Sequence, residues 1–138
     1  MSGFDPERWL DVADACCQSA TGQNEEAFLR TALNRAYYAV LLTIKRRLEG
    51  ALGPGSVRRA GTHTALLEAL RSGGPPFDHI HGRLQKLRRS RELADYELAS
   101  GAPPRHLVRS RVRLSKALIR KEIAGLPDAA FRSLTLPK

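Results

Sequence analysis

Residues 24–53 read NEEAFLRTALNRAYYAVLLTIKRRLEGALG, and the reading of this stretch decides the fold. Apolar side chains recur at Leu29, Leu33, Ala36, Tyr37, Val40, Leu41, Ile44 and Leu48, which follows the helical period closely. Asn24 is of a type that caps helix N-termini, and Glu25 and Glu26 fall where the helix dipole favours negative charge. Gly53-Pro54-Gly55 stops the run. The spacing predicts one long helix reaching from about Asn24 to Leu52.

Working outward, glycine and proline divide the rest of the chain into four more helical stretches. Asp5-Pro6 is a start signal, Asp at the N-cap and Pro at the first helical position, for a helix ending near Ala20. Gly61-Thr62 opens a short third helix to about Arg71, closed by Gly73-Gly74-Pro75-Pro76. A fourth is predicted from about Asp78 to Ser100, ended by Gly101, Pro103 and Pro104. The fifth spans roughly Arg105 to Ala124, and Gly125-Leu126-Pro127 terminates it. No strand-like alternation and no repeat occurs. Helices joined by short Gly/Pro turns pack as antiparallel neighbours. The expected fold is therefore all-α, an up-and-down bundle of about five helices, with one domain over residues 1–126 and a C-terminal tail over 127–138.

Length and composition agree with this. A chain of 138 residues has room for one domain, and an apolar fraction of 42% suffices for one ordinary core. The longest apolar run without a charge, Ala36 to Ile44, is well under the roughly 20 residues that would span a bilayer. The first ten residues carry Asp5, Glu7 and Arg8, so no signal-peptide pattern is visible. The expectation is a cytoplasmic protein with no membrane partner.

Charge is spread unevenly. The net charge is +9, yet residues 1–30 hold two basic and six acidic side chains, so the excess lies downstream. A field of that sign favours a polyanion, with nucleic acid ahead of an anionic membrane. The fifth helix concentrates it: Arg105, Arg109, Arg113, Lys116 and Arg120 fall within about 80° of one another around the axis. Glu122 is the one acidic residue of that stretch. A solvated face usually mixes signs, so a stripe of one sign reads as a polyanion surface, with nucleic acid as the expected ligand and a merely solvated face as the alternative. The aromatic residues of a single-strand stacking platform are not interleaved with it.

The fourth helix holds the most informative position. Ile80, Leu84, Leu87, Arg91, Ala94 and Leu98 are spaced by fours and threes, and Arg91 interrupts an otherwise apolar seam. A guanidinium there is costly unless it is paired or lines a cleft. Two readings follow from the pattern: an Arg91–Asp95 pair tying helices together, or an arginine aimed at a phosphate.

Other chemistry is sparse. The two cysteines, Cys16 and Cys17, are neighbours, which disfavours a disulfide and lacks zinc spacing; two half-buried thiols are expected. The histidines at 63, 79, 81 and 106 are dispersed, and His79 and His81 point about 200° apart on a helix. No metal site and no cofactor is expected. No Ser-His-Asp set, Walker loop or GxGxxG is present.

Three segments, in order, resemble the HEPN family. The core helix with Arg30 and Ala36-Tyr37-Tyr38-Ala39-Val40 is similar to that family's "R…s.aYYAvfh". Gly61-Thr62-His63 is like its "sH", and Leu87-Arg-Arg-Ser-Arg-Glu-Leu-Ala-Asp-Tyr-Glu97 is similar to its "L…R..ADYe". The resemblance covers roughly residues 8–122. It implies an up-and-down helical bundle, often dimeric, in which an Arg-x4-6-His motif cleaves RNA without metal by attack of the 2′-hydroxyl on the adjacent phosphate. Carried over, Arg91 falls on the motif arginine, Asp95 follows it, and Tyr96 stands where many members have His. A tyrosine of ordinary pKa, about 10, is a poor general base at neutral pH, so His63 becomes a second candidate for handling the proton. The implied roles are a metal-independent ribonuclease or toxin-type effector of a defence or toxin–antitoxin system, or a nucleotide- or RNA-binding module without catalysis. A third is an interaction subunit, as a homodimer or with a partner such as a minimal nucleotidyltransferase or a defence-complex subunit.

Overall fold

The computed structural model describes residues 5–57, 63–96 and 101–136; for His63, Ala94, Asp95 and Tyr96 it describes the helical backbone alone. Among the described residues there are six α-helices and no strand. They are α1 (Glu7–Ser19), α2 (Glu25–Leu52), α3 (His63–Arg71), α4 (Pro75–Tyr96), α5 (Arg105–Ala117) and α6 (Asp128–Arg132). A 3₁₀ turn, Gly22–Asn24, leads into α2, and α5 runs on as a π-helical turn, Leu118–Ile123.

Every predicted apolar position of α2 is buried, from Leu29 to Leu48, and α2 is packed by α1, α3, α4, α5 and α6. The core has two parts. The smaller joins α1, the first half of α2 and α5, and is built of small side chains, among them Ala13, Cys16, Cys17, Ala20, Ala32 and Ala36. Small residues let the helix backbones come close. The larger, around Tyr37, Ile44, Leu66, Leu84 and Phe131, joins α2 to α3, α4 and the C-terminal segment. Ser115 fixes α5 to α2: its buried hydroxyl lies 3.0 Å from the carbonyl oxygen of Ala36 and 3.1 Å from that of Arg111.

The start signals work in part. The Asp5 carboxylate accepts from the Glu7 N–H at 3.0 Å, the bond expected of an Asp-Pro entry. Asn24 makes no side-chain cap; it closes the 3₁₀ turn, in which the Glu25 N–H bonds to the Gly22 carbonyl. Helix α4 begins at Pro75 rather than near Asp78, because first-turn prolines lose only N–H groups that the helix leaves unpaired anyway. The continuation of α4 toward Ser100 lies outside the described residues. The fifth helix changes pitch after Ala117, where the Ala124 N–H reaches the Ile119 carbonyl at 3.3 Å. The wider turn keeps Leu118, Ile119 and Ile123 all buried.

The residues read as a tail without period carry α6, and Phe131 and Leu134 are buried in the core. Phe131 stands edge-on to Phe77, centroids 5.3 Å apart. The Arg47 guanidinium lies over its ring at 4.4 Å and donates to the carbonyls of Ile123 at 2.8 Å and Leu126 at 2.6 Å. The absence of a side chain at Gly73 leaves room for Phe77 and Leu134. Phe131→Ala is expected to destabilise the chain by about 3–5 kcal/mol, the cost of truncating a buried aromatic. Urea unfolding should then show one transition with a lowered midpoint. An unchanged midpoint would mean that α6 stands outside the cooperative unit.

Candidate nucleic-acid interface

Arg91 reaches the face between α4 and α2 because the seam that begins with the buried Ile80, Leu84 and Leu87 continues through it. Its side chain is only 13% exposed, so its charge needs compensation. The guanidinium carbon lies 5.1 Å from the Tyr37 ring centroid and 5.7 Å from that of Tyr38, a cation–π arrangement with two rings. The rings brace each other edge to face at 5.2 Å. Glu92 adds a carboxylate 3.9 Å from Arg91 Nη2 and takes a closer bond, 2.9 Å, from Arg88 Nε. Aromatic faces offset part of the cost of burying the charge.

Tyr37 is fully buried, as its place in the apolar period of α2 predicts, and Tyr38 is half-buried. Burial pushes the Tyr37 phenol up to about 12, against the pull of the Arg88 and Arg91 guanidinium groups. The side chains of Asp95, Tyr96 and His63 lie outside the described residues, as do Ala94 and Leu98 of the predicted seam; α4 carries Asp95 and Tyr96 one turn beyond Arg91, and His63 begins α3. Arg30, the first residue of the core-helix signature, donates to Glu26 at 2.6 Å and to the Gly101 carbonyl at 2.7 Å. It thereby ties α2 to the segment leading from α4 to α5. Glu92 and Arg88 were not singled out from sequence, although their i, i+4 spacing is the ordinary signal for such a pair.

The basic stripe of α5 divides. Arg105 bonds the Cys17 carbonyl at 3.4 Å and that of Ala20, with Glu25 3.5 Å away. Lys116 pairs with Asp14 at 2.6 Å and Arg120 with Glu7 at 2.7 Å. The acidic first helix and part of the basic fifth are thus self-complementary. Arg109 and Arg113 are exposed and stand apart from these pairs. On its other side α5 meets α4, where Arg111 Nε donates to the Ser90 hydroxyl at 2.9 Å.

Among the described residues no three His, Cys, Asp or Glu side chains gather as a metal site, and no helix is long and apolar enough to cross a membrane. His79 lies 4.0 Å from Glu122, which is bound more closely by Arg83 at 2.6 Å. Cys16 and Cys17 are free and buried, and burial pushes both thiols up.

The Tyr37 shift has a consequence for stability. A phenol whose folded pKa is raised keeps its full contribution below the unfolded value, about 10, and loses it as pH rises to about 12. Wild type should therefore lose stability relative to Tyr37→Phe across that window, and its ultraviolet titration should contain a tyrosine component near the upper limit that the variant lacks. Identical titrations apart from one ordinary tyrosine would contradict the burial of this hydroxyl.

Compared with known families, the model of the HEPN domain matches residues 6–122. No curated protein and no solved structure matches the chain.

Proposed function

The chain belongs to the HEPN family, and from that premise we propose that it acts on RNA, as a metal-independent ribonuclease of the toxin or defence-effector type. The observation that carries this reading is Arg91, a largely buried guanidinium held on two tyrosine faces between α2 and α4. Its role is to bind the two non-bridging oxygens of the scissile phosphate. As the 2′-oxygen forms its bond to phosphorus and the bond to the 5′-oxygen breaks, charge accumulates on those oxygens, and a fixed guanidinium stabilises it. One proton leaves the 2′-hydroxyl and one is delivered to the 5′-oxygen, so the products are a 2′,3′-cyclic phosphate and a 5′-hydroxyl. Asp95 orients Arg91 in this scheme, and Tyr96 or His63 handles the proton. These three roles rest on the family resemblance.

Tyr96 at the motif position favours a second reading, an RNA- or nucleotide-binding module without catalysis that uses the same arginine. In that form the chain serves as one subunit of a homodimer or of an assembly with a partner such as a nucleotidyltransferase.

Incubation of a mixed RNA pool in EDTA separates the two. Wild type is expected to give cyclic-phosphate ends, and Arg91→Ala to lose about 10²–10³-fold in rate, the usual cost of removing one oxyanion-stabilising donor. Arg91→Lys should recover little, since an ammonium lacks the planar fork. Wild-type binding without cleavage establishes the second reading. Cleavage by Arg91→Ala at the wild-type rate would overturn the first.

A further inference from the structure

Between α1 and α5 lies an open cleft of about 420 Å³ whose rim and walls include Asp14, Cys17, Gln18, Arg109, Arg113 and Lys116. Its charge is unequal. Lys116 is spoken for by Asp14 at 2.6 Å, and the two cancel. That leaves two guanidinium groups facing the cleft from successive turns of one helix. Arg109 and Arg113 are four residues apart, so their side chains start about 5–6 Å from each other. Like charges at that spacing repel, and neither arginine is among the ion pairs that fasten α5 to α1. Gln18 lines the cleft from α1 without adding charge, and the Cys17 thiol, pushed up by burial, adds no negative charge.

We infer that the α1–α5 cleft is a phosphate-binding site in which Arg109 and Arg113 grip the anion, while the Asp14–Lys116 pair forms its inner wall. Of the five basic residues along α5, these two meet the ligand; Arg105, Lys116 and Arg120 serve to hold α1 in place. The site rests on the RNA-directed reading only for who carries the phosphate, an RNA backbone or a free nucleotide. Its chemistry is common to both, two forks that accept the oxygens of one or two neighbouring phosphates.

The test uses Arg109→Gln/Arg113→Gln, with Lys121→Gln/Arg132→Gln as a control that removes equal charge from exposed positions away from the cleft. Binding of single-stranded RNA is measured across a salt series, after circular dichroism has verified that both variants are folded. The salt slope of the cleft variant is expected to fall by about 1.4, that is about 0.7 for each lost contact, with the control unchanged. Equal slopes for the cleft variant and the control would overturn the site, whatever Arg91→Ala does to cleavage. Should wild type bind no RNA at all, the RNA-directed reading falls, and the cleft is decided by pyrophosphate alone. A rise in melting temperature for wild type and control but not for the cleft variant upholds the site for a free phosphate ligand. Equal rises, or none, overturn it.

Discussion

A helix of 28 residues with buried positions from Leu29 to Leu48 has to be covered along its whole length, and that requirement organises the molecule. Among the described helices none matches its 28 residues. The first half of α2 is covered by α1 and α5 through alanines and cysteines, and the second half by α3, α4 and the C-terminal segment through larger aliphatic and aromatic side chains. Tyr37 and Tyr38 fall near the junction of these two halves. There the hydrocarbon of the core gives way to aromatic faces, and a charged side chain from α4 is accommodated at a cost that aliphatic neighbours would not offset. The position of Arg91 is thus a consequence of how α2 is covered.

The charge segregation along the chain has a related structural meaning. Two acidic residues of α1 are taken up within the chain: Asp14 and Glu7 face Lys116 and Arg120 across the α1–α5 contact. Exposed pairs of this kind contribute little each, but they help to set which helix lies beside which. Arg105 does more, because it satisfies two backbone carbonyls at the C-terminal end of α1 that the helix itself leaves without partners. What remains of the net positive field after these internal pairings is concentrated at fewer positions than the composition implies.

Much of the fold was legible in the sequence, and the places where it was not are instructive. The apolar period of α2 and the Asp5-Pro6 entry read directly, since both are local rules. The seam of α4 read well through Leu87, and the oddity of Arg91 marked the position where the period meets the candidate site. Helix α6 escaped because five residues are too few to display a period, and the burial of Phe131 and Leu134 follows from tertiary packing. The π-helical turn after Ala117 escaped because its extra residue per turn defeats a reading based on 3.6. The division of the basic stripe could not be read at all, since which arginine meets a carboxylate depends on the packing of α1 against α5. Likewise the helical period places Tyr37 on the buried face of α2, but does not show that Tyr37 and Tyr38 form the bed on which Arg91 lies.

In the proposed function Arg91 meets an RNA phosphate, and that contact can be observed without relying on turnover. The measurement is the ¹⁵N–¹H signal of the Arg91 guanidinium, assigned by its loss in Arg91→Lys, during titration with a 2′-O-methyl RNA that cannot undergo attack by its own 2′-oxygen. Saturable movement of that signal, at the same RNA concentrations that shift the backbone amides of α2 and α4, is the predicted result. A signal that stays in place while RNA saturates the protein would contradict the account.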